Sequence, residues 1–543
     1  MKMSKGRTDK VNIIAQGKNE VGDRYLLLRI QDDDNVNEHV LAVGASKEPD
    51  CAPLNRLGAA IFSPDAKREF MKRVQDEGSS LKVSFKVADR LGWHGRRYAH
   101  PAFPSKKLRL AIDEQLISKY RSGGSLEGWR KIAELASGNS RLMLAIALAF
   151  VGPIGPIIGA RSMAIQLTSS KTGVGKTTAL IVAGSVWGCK VDRNQANELG
   201  FGETWNQTAN NLEHVAWAHN HTFLPLDETR HGDPKQILPS IFRLSGGLEK
   251  GRLTNPSSGR SWWVPVLSTS NLSVQELAGE ASISVDGAYM SRLLDVPEPP
   301  GGHGIFEELH GLADGEALSD QLKTLAKRHF GHPSVCLITA LKKRCKADRK
   351  ALRKWLRARK RSYIKRAVKE LRFDVAGLDQ LHDRFSTIYV SACFAIEEKI
   401  LPWKKKELLA ALLKCERAHL DLQITNKSVG DSSGKPPIER LRTFIAENRT
   451  TFASTNDITG KVDKDCVYTN RHKGRDEILF SEEKFQAIVG GLGKAMELKH
   501  LLRQQGLIAS DGKKRLSFSV KRPVGNKRAY FIAVSARIAA DAT

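Results

Sequence analysis

The stretch SSKTGVGKTTAL, Ser169 to Leu180, decides the fold that the sequence predicts. A common phosphate-binding loop reads GxxxxGK[ST] and lies between a strand and a helix. Ser170 stands where this pattern has its first glycine, and serine is small enough for the tight turn. The flanks agree with the pattern, because MAIQLTSS predicts a strand and TTALIVAGSVW predicts an amphipathic helix. The stretch therefore predicts an α/β core that binds a nucleotide.

The residues of this loop have distinct expected roles. Gly173 and Gly175 let backbone N–H groups face the phosphates, and the helix N-terminus adds its dipole. Lys176 is expected to reach the β- and γ-phosphates, and Thr177 to supply a hydroxyl to Mg²⁺. ATP and Mg²⁺ are the expected cofactors. The expected nucleotide contacts are Ser170, Lys171, Thr172, Gly173, Val174, Gly175, Lys176, Thr177 and Thr178. A chance glycine-rich loop is the alternative, but it leaves both flanks unexplained.

An acidic pair follows further along the chain. HTFLPLDETR predicts an apolar strand that ends in Asp227 and Glu228. Asp227 is expected to hold Mg²⁺ through water, and Glu228 to orient and polarise the attacking water. A solvated acidic loop is the alternative. The position of Asp227, 51 residues after Lys176 (227 − 176), favours the catalytic interpretation.

Two single residues complete the candidate site. VPVLSTSN predicts a buried strand ending in Asn271, which is expected to hold the water or the γ-phosphate; a strand-capping turn is the alternative. SRLLDVP predicts a strand that Arg292 opens. Arg292 is expected to act as an arginine finger on a neighbouring subunit's γ-phosphate. A surface charge or a structural ion pair is the alternative for Arg292.

The charge of the chain points to a polyanionic partner. Its 86 Lys and Arg residues against 59 Asp and Glu give a net charge of +27, which favours nucleic acid over a membrane. A merely solvated basic surface is the alternative. Seven cysteines without a CxxC pair argue against a zinc finger or a disulfide scaffold and indicate a reducing, cytoplasmic setting. The segment MKMSKGRTDK has no apolar run of the kind that a signal peptide needs.

One apolar run has nearly the length of a membrane span. Residues 142–160 carry no charge, but the prolines of GPIGPIIG would interrupt a spanning helix. We therefore expect a buried helix, Ser140 to Val151, followed by a turn into a strand.

Four domains are expected. Residues 1–104 form a β-rich N-terminal domain that ends in the hairpin GWHGRRYAHPAF, and residues 105–310 form the core with its preceding helices. Residues 311–427 form a basic helical domain. Residues 428–543 are predicted as two helices and a basic two-stranded wing, the outline of a winged helix.

Two basic regions are expected to contact DNA phosphates. In residues 342–366, 14 of 25 residues are Lys or Arg, and the interleaved Trp355 and Tyr363 either stack bases or anchor helix packing. The second region is the predicted wing. Its basic residues are Lys513, Lys514, Arg515, Lys521, Arg522, Lys527 and Arg528.

These motifs, taken in order, resemble a family. GNSRLMLAIALAF, GVGKTTALIVAGSVWG, LPLDE, VLSTSN and SRLLDVP resemble an uncharacterised-domain family of P-loop ATPases from phages, plasmids and chromosomal cassette elements. That family is similar to the AAA+ replicative helicases of superfamily III and to MCM-type helicases. The specific match covers about residues 91–297. Ser170 departs from the family's loop and puts the loop's shape in doubt.

The resemblance implies a homo-hexameric ring with ATP sites between subunits. Lys176, Thr177, Asp227, Glu228 and Asn271 would act in cis and Arg292 in trans. It also implies a hairpin, Gly246 to Trp263, that projects into a central channel. Lys250 and Arg252 near its start are expected to contact single-strand phosphates, with a solvated basic turn as the alternative.

The sequence therefore predicts an ATP-driven DNA helicase that serves the replication of a mobile element, with replication partners such as a primase. One alternative is a DNA-dependent AAA+ ATPase that acts as an initiator, loader or transposition accessory without processive unwinding. Another is a non-catalytic basic DNA-binding protein whose phosphate loop is degenerate.

Overall fold

The structure is a computed structural model, and the contacts divide the chain into two compact units, Met1–Ala418 and His419–Thr543. The described residues are 10–32, 35–43, 51–190, 199–228, 234–249, 260–281, 292–371, 378–429, 437–456, 463, 466–489, 492–509, 519–524 and 527–539. Among them, no helix combines the length and the apolar character that crossing a membrane requires.

The larger unit begins with a five-stranded sheet in the order β3-β2-β1-β4-β7. The strands of this region are β1 (Val11–Lys18), β2 (Arg24–Asp32), β3 (Asn35–Val43), β4 (Val83–Ala88), β5 (Gly92–His94), β6 (Arg97–Ala99) and β7 (Leu108–Leu110). The helices α1 (Ala52–Arg56) and α2 (Pro64–Ser80) lie between β3 and β4. Ser63 caps α2, because its Oγ accepts the Ala66 N–H. Buried Phe70 and Val74 of α2 belong to the same hydrophobic core as Leu28 of β2.

The predicted hairpin is present as β5 and β6, which pair antiparallel. Its aromatic residues fix it to the rest of the unit. Trp93 and Tyr98 meet edge to face at 5.0 Å, Trp93 Nε1 donates to the Pro153 carbonyl at 2.8 Å, and the Tyr98 hydroxyl donates to the His221 carbonyl at 2.6 Å.

Four helices lead from this region into the core: α3 (Glu114–Lys119), α4 (Leu126–Ala136), α5 (Ser140–Ala149) and α6 (Gly155–Ile158). Every residue of α5 is buried. The apolar run thus forms the predicted core helix, although the helix ends at Ala149 rather than Val151. The short helix α6, which was not predicted, lies between it and the strand.

The central sheet is parallel and has the order β12-β8-β11-β10-β9. Its strands are β8 (Ala164–Thr168), β9 (Glu203–Thr204), β10 (Leu224–Asp227), β11 (Val266–Ser270) and β12 (Leu293–Pro297), and its helices are α7 (Lys176–Gly184), α8 (Ala209–Ala218), α9 (Pro234–Gly246) and α10 (Val274–Ala281). The strands AIQLT and VLSTS are buried throughout, as strands covered on both faces are. Because β11 lies between β8 and β10, the carboxyl ends of these three strands are neighbours.

Helices fill the rest of the larger unit: α11 (Gly315–Arg328), α12 (His332–Leu371), α13 (Leu378–Glu397) and α14 (Lys405–Val429), which extends across the boundary between the units. The basic stretch lies on α12, which is interrupted at Asp348. The Asp348 carboxylate accepts the N–H groups of Lys350 and Ala351 and so caps the second half of α12. Tyr363 is buried and donates its hydroxyl to Glu416 at 2.7 Å, so it serves packing.

The smaller unit contains a five-stranded sheet in the order β13-β14-β15-β17-β16. Its elements are α15 (Pro437–Asn448), β13 (Ala453–Ser454), β14 (Tyr468–His472), β15 (Arg475–Phe480), α16 (Glu482–Val489), α17 (Leu492–Gln504), β16 (Ser519–Val524) and β17 (Lys527–Ser535), with 3₁₀ turns at Arg449–Thr451 and Ala536–Ala539. The β14–β15 hairpin is absent from the predicted order of two helices and a wing. Its strand YTNRH is mostly polar, so it lacks the apolar alternation of a predicted strand. Its turn has positive φ at Lys473 (50°) and at Gly474 (78°). Glycine is the usual residue at such positions but lysine is not, so the sequence indicates the turn only weakly.

Arg522, predicted as a phosphate contact of the wing, lies in a buried ion pair. Its Nε and Nη2 donate to the two carboxylate oxygens of Glu477 at 2.7 and 2.8 Å. Of the other predicted wing residues, Lys521 is exposed, whereas Lys513, Lys514 and Arg515 lie outside the described residues. Arg522 therefore stabilises the sheet of the smaller unit.

We expect Arg522→Ala to lower the free energy of unfolding of the smaller unit by about 3–5 kcal/mol, because it leaves the Glu477 charge buried without this partner. Thermal or urea unfolding of the full chain measures the effect. The exposed neighbour provides the control: Lys521→Ala should change stability by no more than about 0.5 kcal/mol. Equal effects of the two variants would contradict the assigned role of Arg522.

Candidate nucleotide site

The phosphate loop connects β8 to α7 and needs glycine at two positions. Gly173 and Gly175 have φ values of 74° and 94°, in the left-handed region. A Cβ on Gly175 would also lie 2.7 Å from Cζ of Phe306. The Ile305 N–H donates to the carbonyl of Val174 at 2.9 Å. The segment after β12 therefore packs on the loop and supports its shape, even though Ser170 replaces the first glycine.

Lys176 is held at the centre of the loop by three acceptors. Its Nζ donates to the carbonyls of Ser169 and Lys171, each at 2.9 Å, and to Oδ1 of Asn271 at 2.7 Å. Burial lowers the pKa of Lys176, while the nearby carboxylates of Glu228, Glu298 and Asp227 act in the opposite direction. The ammonium group is thus positioned among neutral oxygens. The contact with Asn271 brings together two residues that are 95 positions apart (271 − 176).

Thr177 and Asp227 place oxygen atoms side by side. The Thr177 hydroxyl lies 3.4 Å from Oδ1 of Asp227, at the long limit for a hydrogen bond. Asp227 Oδ1 also accepts from the Thr269 hydroxyl at 2.5 Å. A hydroxyl and one carboxylate, completed by phosphate oxygens and water, are ligands that suit Mg²⁺. The chemistry of these side chains therefore fits the predicted metal.

Glu228 follows Asp227 in a strained backbone conformation. Its φ is 44°, in a region that costs a non-glycine residue about 1–3 kcal/mol. Its N–H donates to Oγ1 of Thr269 at 2.9 Å. Thr269 therefore fixes both acidic residues, and sequence reasoning missed it. The signal was available, because Thr269 lies at the carboxyl end of β11, two residues before the predicted Asn271.

The other predicted nucleotide contacts differ in exposure. Ser170, Lys171 and Thr172 are exposed on the loop, and Val174 is half-buried. Thr178 is buried, and its hydroxyl is hydrogen-bonded to that of Ser319 at 2.7 Å. The Thr178 hydroxyl is thus engaged by α11, whereas the other residues lie at the surface of the loop.

Arg292 lies at the amino end of the strands of the central sheet, whereas the phosphate loop follows the carboxyl end of β8. It precedes β12, which runs parallel to β8 with Leu293 opposite Ala164 and Pro297 opposite Thr168. At about 3.3 Å per residue, Arg292 is roughly 16 Å from the level of the loop. Its guanidinium stacks on the ring of Phe242, with Cζ 3.3 Å from the ring centroid. Arg292 is therefore directed away from the nucleotide site of its own chain.

Two further arginines lie near Arg292, and sequence reasoning did not single them out. Arg161 is exposed and lies three residues before β8, the strand that pairs with β12. Arg384 of α13 is only 6% exposed, and its Nε has no hydrogen-bond partner among the residues that the structure describes. Burial and then the charge of Arg161 lower the pKa of Arg384 to about 10; the Asp383 carboxylate acts in the opposite direction, and Arg292 adds to the lowering. Arg161 and Arg292 are thus close enough to repel the Arg384 charge, and Asp383 offsets part of that repulsion.

A buried polar network beneath the loop also escaped sequence reasoning. Asp295 of β12 is 2% exposed and accepts from Gln166 Nε2 at 2.8 Å and from the Val274 N–H at 2.9 Å. Gln166 in turn accepts from Ser268 Oγ, which accepts from Trp205 Nε1. The network connects four strands or strand ends of the central sheet. Burial raises the pKa of Asp295 to about 7.

This shift predicts a dependence of stability on pH. Between the unfolded pKa of 3.8 and the folded pKa of about 7, the folded state binds more protons at Asp295, so stability decreases as pH rises through this window. The expected loss is about 4 kcal/mol. Urea unfolding between pH 4 and 8 measures it, and Asp295→Asn should remove this part of the slope. An unchanged slope in the variant would contradict the assignment.

The segment expected to form a channel hairpin has a paired base. Leu248 and Ser261 form an antiparallel bridge, and the Glu249 N–H donates to the Arg260 carbonyl at 2.9 Å. The Arg260 guanidinium lies 4.5 Å from the ring centroid of Trp217. The predicted DNA contacts Lys250 and Arg252 lie outside the described residues. The two described ends of the segment, residues 248–249 and 260–261, nevertheless pair with each other.

Comparison with known proteins supports the fold. Residues 7–260 match the model of a family described as a domain of unknown function, DUF927. No curated protein is similar enough in sequence to count as a match. The chain is similar to a solved structure described as "SCCmec type IV Cch - active helicase", with 15% sequence identity, a TM-score of 0.59, and coverage of 98% of this chain and 94% of that one. The likeness shows a shared fold over nearly the full length of both chains.

Proposed function

We propose that this chain is an ATP-driven DNA helicase of the AAA+ type. It assembles as a homo-hexameric ring and serves the replication of a mobile element. The observation that carries the proposal is the bond between Lys176 Nζ and Asn271 Oδ1 beside the Thr177–Asp227 pair. A phosphate-binding lysine, a metal-binding acid and a polar sensor thereby meet at the carboxyl ends of three adjacent strands, where α/β sheets bind ligands. The solved helicase of similar fold supports this proposal.

Each residue of the site has a role in this mechanism. Lys176 binds the β- and γ-phosphates of ATP, and Glu228 orients the attacking water. Thr177 and Asp227 would hold Mg²⁺, which neutralises phosphate charge when it is bound. Asn271 moves from Lys176 to the γ-phosphate or to the water once ATP is present.

Hydrolysis requires a second subunit in this proposal. Arg292 cannot reach the loop of its own chain, so it acts on the nucleotide of an adjoining subunit. A phosphate group there would relieve the repulsion among Arg161, Arg292 and Arg384. ATP hydrolysis between subunits would then shift the hairpins of residues 246–263 along one DNA strand.

Strand displacement on a forked duplex tests the proposal. The wild-type chain should separate the strands with ATP and Mg²⁺, and omission of either should stop the reaction. Intact DNA-stimulated ATP hydrolysis without unwinding would reject the helicase and favour a loader or initiator. Absence of ATP hydrolysis with DNA present would reject the catalytic function itself.

A further inference from the structure

A groove of about 1100 Å³ lies in the larger unit, away from the nucleotide site. Its lining comes from β2, β3, α1, the β5–β6 hairpin with the loop that follows, β7, α3 and the first half of α12. This volume slightly exceeds the usual range for small-molecule pockets, about 300–1,000 Å³. The groove is therefore large enough for a short segment of a polymer.

The groove carries an excess of positive charge. Six of its lining residues are Lys or Arg and three are Asp or Glu, which gives +3 (6 − 3). One of the acids, Glu38, is paired with Arg109 at 2.7 Å and with Arg29 at 3.3 Å, and its hydrogen bond to Arg109 lowers its pKa. One of the three negative charges is thereby compensated within the protein, by a pair that also engages Arg109.

Four cations on the groove have exposed side chains. Arg96 and Arg97 are on the β5–β6 hairpin, Arg56 is on α1, and Lys106 is in the loop before β7. None of the four forms an ion pair with another described residue. Because three separate segments bring these charges to one groove, an extended anion can contact several of them together.

An aromatic ring and a further cation lie in the same groove. Phe103 is half-buried, and Nζ of Lys342 lies 4.3 Å from its ring centroid. The ring of His100 also lies nearby, with its centroid 5.9 Å from that of Phe103. A half-exposed ring beside phosphate-binding cations is the combination that binds unpaired bases and their backbone. Acidic peptides use the charges but have no base to stack on Phe103.

We propose that this groove binds single-stranded nucleic acid, with phosphates on Arg56, Arg96, Arg97 and Lys106 and a base on Phe103. The choice of nucleic acid as the ligand rests on the proposed helicase function. The groove would be a second binding site, outside the ring channel. The N-terminal region thus holds the strand while the hairpins of the core move it.

Anisotropy of a labelled oligothymidylate with the full chain, without nucleotide, tests the phosphate contacts. The triple variant Arg96→Ala, Arg97→Ala, Lys106→Ala should weaken binding by about tenfold or more and reduce the log–log salt slope by about 2, since each lost single-strand contact contributes about 0.7. The matched control removes three exposed lysines outside the groove, Lys67, Lys72 and Lys82, and should leave affinity and slope nearly unchanged. Equal weakening by the two triple variants would overturn the site.

An abasic oligomer tests the role of Phe103. Phe103→Ala should weaken oligothymidylate binding by about fivefold or more and leave binding of the abasic oligomer unchanged. Equal losses for both polymers, or none for either, would overturn the stacking role. ATP hydrolysis without DNA should be unaffected in every groove variant. Wild-type binding with unaffected groove variants rejects the groove alone, whereas a wild type that neither binds DNA nor hydrolyses ATP rejects the proposed function.

Discussion

Lys176→Ala should reduce ATP turnover by about a hundredfold to a thousandfold or more. The Lys176 ammonium is half-buried and bonded only to neutral oxygens, so it is available to the phosphates of ATP. A cation aimed at charge that develops on transferring phosphate contributes on the order of 10²–10³ or more to the rate. In this variant, nucleotide binding should weaken together with turnover, because Lys176 binds the phosphates before and during the reaction.

Glu228→Gln separates chemistry from binding at the same site. It should reduce turnover by about 10²–10⁴-fold, the usual range for a positioned base, and leave ATP affinity close to that of the wild type. Steady-state phosphate release and fluorescent-nucleotide binding measure the two quantities. Lys67→Ala, an exposed lysine far along the chain from the site, serves as the control. Wild-type turnover in both Lys176→Ala and Glu228→Gln would place the ATP site elsewhere.

Arg292→Ala should nearly abolish turnover while it spares nucleotide binding. Arginine fingers contribute about 10³–10⁵ to kcat in phosphoryl transfer, and Arg292 is roughly 16 Å from its own phosphate loop. Binding should change by less than about twofold, because the loop itself is intact. Arg292→Lys keeps the charge but loses the planar fork, so its turnover should remain well below that of the wild type.

Binding measurements distinguish this role from a structural one. The stacking of Arg292 on Phe242 also suits a residue that only packs two elements together. In that case Arg292→Ala would lower the melting temperature and weaken ATP binding along with turnover. A parallel loss of binding and turnover would therefore show that the trans role is wrong.

Much of the core was predictable because its signals are local. A phosphate loop needs glycine, lysine and a hydroxyl residue in a fixed order. The buried strands are recognisable in the sequence as short apolar runs. The acids and Asn271 were predictable as strand ends, since the carboxyl ends of parallel strands meet at one edge. Thr269 was less visible, because a threonine in a strand is ordinary until its neighbours are known.

Other features depend on contacts between distant segments. Arg384 looks like one more cation in a basic helical region, and only packing shows that it is buried beside two other arginines. By sequence Arg522 belongs to a basic wing. In the structure it forms an ion pair with Glu477, which lies 45 residues earlier in the chain (522 − 477). The groove of the N-terminal region combines residues from β2 to α12, and no single stretch of sequence contains its pattern.

Mixing two inactive variants tests the central claim most directly. Glu228→Gln retains Arg292, and Arg292→Ala retains a complete nucleotide site, so a mixed ring contains interfaces in which both are intact. ATP hydrolysis by the mixture, measured across mixing ratios with single-stranded DNA present, should rise well above that of either variant alone. If mixed particles form and hydrolysis stays at the level of the separate variants at every ratio, the ATP site is not shared between subunits and the account is contradicted.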